Sequence, residues 1–301
     1  MKQSPETIFS VDRRGRHHGF AKGVAGIHEV SNEKVCLRPT DCRNLSGQIS
    51  GLSRIFTIVG VLAAWGISPR SRRGNGKVAS AYQLLVFAHL LLFVLWLGAD
   101  VGVFLLGQHF RKRTEYSLEQ RIALLKLLVL VDMTPRSAWA LMVPLSLSVV
   151  DTGGWWDVPG ALLLLSWAVG GLWLWLVWDT HWHDQTPRAA RNRAIEGWLR
   201  WVVGGFYLWL GGQSLMVDAP LSPDWLALKA LLFGVIFAAA IMIDVTFKPV
   251  GAQLGAVLET GSSDETEIPL LRTMNRTRVW VWIVYLLLLA TAFLGNVKPL
   301  L

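Results

Sequence analysis

AYQLLVFAHLLLFVLWLGADVGVFLLG, Ala81 to Gly107, is an apolar run interrupted by His89 and Asp100. At 1.5 Å per residue it is long enough to cross a hydrocarbon core about 30 Å thick. His89, Trp96 and Asp100 follow one another at spacings of seven and four, so they fall along one side of a helix. An ionisable group in such a helix needs other helices to shield it from lipid. The run therefore predicts a multi-pass membrane protein.

The composition agrees. The chain is 52% hydrophobic and only 17% charged, with 16 Trp, whereas soluble domains carry about 25% charged residues. The net charge of +8 is not spread evenly. Residues 1–77 hold 13 Lys and Arg against 5 Asp and Glu, while residues 78–301 hold 16 of each. The basic excess thus belongs to an N-terminal tail able to touch anionic lipid headgroups. No recognition helix or aromatic-basic interleaving accompanies it, which argues against nucleic acid as a partner.

Residues 1–54 show no sustained period of either kind and read as disordered. Cys36 and Cys42 match no common zinc or redox spacing. The apolar segment 55–67 is short for a span and fits a signal-type or interfacial helix. Residues 78–301 carry six expected spans, near 80–107, 121–150, 160–178, 198–217, 224–247 and 278–296. The expected fold is all-α, a polytopic transmembrane helical bundle.

The loops set its orientation. Loops 111–121, 179–200 and 248–278 each hold four Lys or Arg, and loops 151–159 and 218–224 hold none. By the positive-inside rule the basic loops are cytoplasmic, and the expected location is a bacterial inner membrane with the C-terminus in the periplasm. Arg70, Arg72, Arg73 and Lys77 then lie on the wrong side. An over-extended reading frame, with the physiological start near Val78, would remove that conflict; a genuine cytoplasmic tail is the alternative.

Trp155, Trp156, Trp178, Trp182, Trp198 and Trp225 cluster at span ends, as an interfacial aromatic belt does. Gly170-Gly171, Gly204-Gly205 and Gly211-Gly212 allow close helix approach. The 255–269 stretch reads as a polar, acidic loop.

Ionisable residues within spans are functional candidates by default. The candidate intramembrane polar site comprises His89, Asp100, Asp132, Arg136 and Lys229, with Asp244 nearer the cytoplasmic end. Asp132 and Arg136 are also spaced for an intrahelical ion pair, next to a bend at Pro135. His89 and Lys229 fall in the outer half. His181 and His183, flanked by Asp179 and Asp184, would point the same way in an extended segment and suit a transition metal. On a continuing helix they diverge, and two ligands close no site. No Ser-His-Asp order, Walker loop or Rossmann glycine pattern appears where its chemistry would need it.

At His89-x6-Trp96-x-Gly98 the first span resembles the opening helix of copper-resistance-D-like membrane domains and of HemJ-type protoporphyrinogen oxidases. Trp225-x3-Lys229 is similar to a later span start in those families. The HemJ-type resemblance implies an active-site or haem-proximal pair of His89 and Lys229. The body also resembles uncharacterised bacterial inner-membrane proteins that pair such a helix with an Asp-Met-x-Pro-Arg second helix, here beginning at Asp132. The function expected is membrane-embedded binding or transport of a metal ion, proton or small cofactor. A haem-associated oxidoreductase of the HemJ type and a structural or assembly protein are the alternatives. The lipid bilayer is the expected partner in every case.

Overall fold

The computed structural model of the chain describes residues 75–299. The tail through residue 74, with Cys36, Cys42 and the segment 55–67, lies outside the described residues. Every regular element among the described residues is a helix: α1 (Asn75–Phe110), α2 (Leu118–Thr152), α3 (Gly160–Trp182), α4 (Pro187–Val217), α5 (Asp224–Phe247), α6 (Val250–Thr260) and α7 (Asp264–Val297). The all-α bundle read from the sequence is the architecture observed.

Among the described residues, five stretches are long and apolar enough to cross a membrane: Ala81–Phe110, Leu118–Thr152, Gly160–Trp182, Asp224–Thr260 and Asp264–Val297. The expected fourth span, in α4, is not among them. Its 31 residues measure about 46 Å, but Arg200, Gly, Trp and Gln dilute its hydropathy. It nonetheless lies directly against α5. A Cβ on Gly204 would come within 2.7 Å of the Phe237 side chain, and one on Gly211 would strike the backbone of Leu231. Glycine is therefore required at Gly211. Gly170 likewise faces α2 at Pro144, whereas the second glycine of each pair, Gly171, Gly205 and Gly212, faces open space.

Two expected loops are largely helical. The basic 179–200 segment breaks only at His183–Thr186, where Thr186 accepts from the Ala189 N–H and Pro187 opens α4. The acidic 255–269 segment is the end of α6, a turn, and the start of α7. Gly261, at φ +91°, ends α6. Ser263 and Thr266 then form a capping box, and Asp264, Glu265 and Glu267 complement the positive end of the helix dipole. The acidity that reads as a loop is a helix start.

Neighbouring helices pack in the order α1, α2, α3, α4, α5, α7. Contacts from α7 back to α1 close the ring: Phe104 meets Trp282 edge-on, and the Tyr285 hydroxyl donates to the Asp100 carbonyl at 2.9 Å. The middle is aromatic. Trp139 of α2 stacks with Trp96 at 5.6 Å between centroids and touches Trp173 at 5.2 Å and Phe237 at 4.8 Å. Phe233 links Phe237 to Tyr207. Such clusters add directional ring contacts to ordinary apolar burial. This layer divides the bundle into two ends of different chemistry.

Candidate functional site

The first end contains the N-terminal half of α1, the 153–159 and 218–223 connections, and the C-terminus of α7. Here α1, α2, α4, α5 and α7 enclose a cavity of about 520 Å³. Its walls are mostly apolar, with Trp96, Tyr207 and Phe233 as its aromatic floor. Toward the rim, Trp155 meets Trp225 edge-on at 5.4 Å and Tyr82 at 5.8 Å. The Lys298 ammonium sits over both indoles, 5.0 Å from the Trp155 ring centroid and 5.6 Å from that of Trp225. These are cation–π contacts on a side chain that is otherwise exposed.

His89 and Lys229 both line this cavity. His89 Nδ1 is buried and has no hydrogen-bond partner among the described residues. Lys229 has no ion pair among the described residues, and no Asp or Glu contributes to the cavity wall. Gly295 leaves room for the lysine head, because a Cβ there would collide with Lys229 Nζ. Polar contacts in the wall come from Ser146 and Tyr207, whose hydroxyls lie 2.7 Å apart.

The opposite end gathers the three basic loops. Arg121 and Glu267, at 1% and 0% side-chain exposure, form a two-pronged pair with contacts of 2.5 and 2.9 Å. Arg121 Nε also donates to the Phe110 carbonyl at 2.7 Å, and Ser262 donates to Glu267 at 2.7 Å. A small apolar cluster of Phe110, Val250, Val257 and Leu270 packs at the same end. Breaking one partner of so buried a pair costs about 3–5 kcal/mol, since the other is left uncompensated.

Deeper at this end, Arg200 is held by Glu196 at 2.5 Å and by Asp244. Trp173 Nε1 donates to Glu196 at 3.3 Å, and the Arg200 guanidinium lies 5.3 Å from the centre of the Trp139 ring. Asp244 thus ties α5 to α4. Asp132 accepts from Arg136 Nε at 2.5 Å, the intrahelical pair expected from their spacing. Asp100 lies within electrostatic reach of both.

The structure therefore separates the five candidates. His89 and Lys229 share the cavity, while Asp100, Asp132 and Arg136 belong to the other end. His181 and His183 lie at that end too, and α3 continues as a helix through Trp182. His181 lies edge-on to Trp178, and His183 Nδ1 is 3.0 Å from the Asp179 carbonyl oxygen. The Asp179 carboxylate is taken by Arg188, at 2.5 and 2.7 Å, and by Asn192 at 2.6 Å. Among the described residues, no group of three or more His, Cys, Asp and Glu is placed to hold a metal ion.

Sequence reasoning missed Lys298, Tyr82 and Tyr207 in the cavity, and the Arg121–Glu267 and Glu196–Arg200–Asp244 networks. The i, i+4 spacing of Glu196 and Arg200 was a usable signal, hidden by reading 179–200 as loop. No protein-family model, no curated protein and no solved structure matches the chain.

Proposed function

We propose that this integral membrane protein binds a small, largely apolar organic molecule in the cavity between α1, α2, α4, α5 and α7. The observation that carries the reading is the cavity itself: about 520 Å³, aromatic-walled, with only a few polar groups among its lining residues. Small-molecule sites have this size and this balance of walls. The lining offers one imidazole and one thioether, Met142, beside two lysines, which is a poor donor set for a divalent ion. The positive-inside rule supports an orientation with the cavity, and the end of α7 at its rim, facing away from the cytoplasm of a bacterial inner membrane.

Equilibrium binding of radiolabelled decan-1-ol to the protein in zwitterionic nanodiscs, with empty nanodiscs subtracted, tests this. Saturable binding near one per chain is expected, and Ala230→Phe, which fills the cavity, should abolish it. Binding unchanged in a folded Ala230→Phe protein would overturn the reading.

A second reading draws on the unpartnered Nδ1 of His89 and on the meeting of His89 and Lys229 in one cavity: a haem-associated membrane oxidoreductase of the HemJ type. His89 would hold the haem, which would supply one-electron chemistry when bound. A Soret band in purified protein, lost in His89→Ala, is the expected sign. A colourless folded protein after haem supplementation would remove this reading.

A further inference from the structure

We propose that the cavity selects an amphipathic organic anion, whose carboxylate or phosphate lies against Lys229 while its apolar body lies along the aromatic floor. This rests on the cavity being a ligand site, as argued above, and adds the charge of the ligand.

The argument begins with an imbalance. His89, Lys229 and Lys298 line the cavity, and no acidic side chain does. At the other end of the same bundle, the buried arginines Arg121 and Arg200 each face a carboxylate. An uncompensated ammonium in a low-dielectric wall is unfavourable, and a bundle that pairs its buried arginines leaves this half-buried lysine open. An anionic headgroup supplies the missing partner through a charge-assisted hydrogen bond. A cationic ligand would meet repulsion from Lys229 and Lys298, and a neutral one would leave the ammonium unpaired.

Two details place the headgroup. Gly295 is the residue that leaves space at Lys229 Nζ. His89 Nδ1, buried without a partner, offers a second polar contact on α1, donating to an anion in the appropriate tautomer. Lys298 is already engaged with Trp155 and Trp225 at the rim. It attracts an incoming anion from there, and Lys229 holds it within.

The test compares radiolabelled decanoate with decan-1-ol, which share an apolar body and differ in charge, on the nanodisc-embedded protein. Decanoate is expected to bind about tenfold or more tightly, the range for a hydrogen bond to a charged group. Lys229→Met should erase that preference and leave decanol binding intact, while Lys229→Arg should retain much of it. Gly295→Ala, which pushes the ammonium aside without removing it, should reduce the preference in part. Equal binding of the two probes to the unaltered protein overturns the anion proposal and leaves the cavity reading standing. A preference erased by Lys298→Met but kept in Lys229→Met overturns the assignment to Lys229. Loss of neither probe in Ala230→Phe defeats both readings together. Adding phosphatidylglycerol to the nanodisc identifies the source of the anion: competition with decanoate points to a bilayer lipid, and its absence to a free solute.

Discussion

The two ends of the bundle treat their basic side chains in opposite ways. At the loop-rich end Arg121 and Arg200 face carboxylates, and each is tied to a second helix. At the cavity end His89 and Lys229 face one another's empty space, with aromatic rings around them and no carboxylate in the wall. The same kind of side chain is a fastener at one end and an unfilled valence at the other. Burial of charge alone singles out no site in this protein, because the buried arginines are paired.

The difference can be broken or sharpened by single substitutions. The largest effect is expected from Glu267→Gln, which strands Arg121 and should destabilise the fold by about 3–5 kcal/mol. Thermal unfolding in detergent would measure it, and Arg121→Met combined with Glu267→Leu should recover part of the loss. Gly211→Leu should follow at about 1–3 kcal/mol, because its side chain meets the Leu231 backbone and forces α4 from α5. Asp132→Asn should cost about 1–3 kcal/mol, less when paired with Arg136→Gln, since the double change leaves no lone cation. Lys229→Met is expected to shift stability by no more than about 0.5 kcal/mol, or to raise it. A large loss there would make Lys229 a fastener too and dissolve the contrast between the ends.

Much of the fold was legible because apolar runs such as Ala81–Gly107 declare themselves. What escaped was helix written in polar residues. Residues 187–200 and 264–277 continue α4 and α7 beyond their apolar parts, and their charges are satisfied by partners 44 and 146 positions away. No local pattern announces such partners. The site was legible in its unusual residues, His89 and Lys229, since a charge in a greasy run is conspicuous. It was illegible in its walls: Tyr207 and Lys298 look ordinary until tertiary packing brings them to the same hollow. His89, Asp100, Asp132, Arg136 and Lys229, grouped from the sequence as one polar site, fall at two ends of the bundle for a related reason. Depth along a helix can be counted from the sequence, but the aromatic layer that parts them cannot.

That layer also acts as an electrical insulator. If the cavity is open to the outer solution, the membrane voltage falls mainly across Trp139, Trp173 and Phe237 rather than across the hollow beyond them. An anion reaching Lys229 then traverses little of the field, and its affinity should be nearly indifferent to voltage. A charge carried past Trp139 toward Arg200 would instead do electrical work of about 2.3 kcal/mol for every 100 mV.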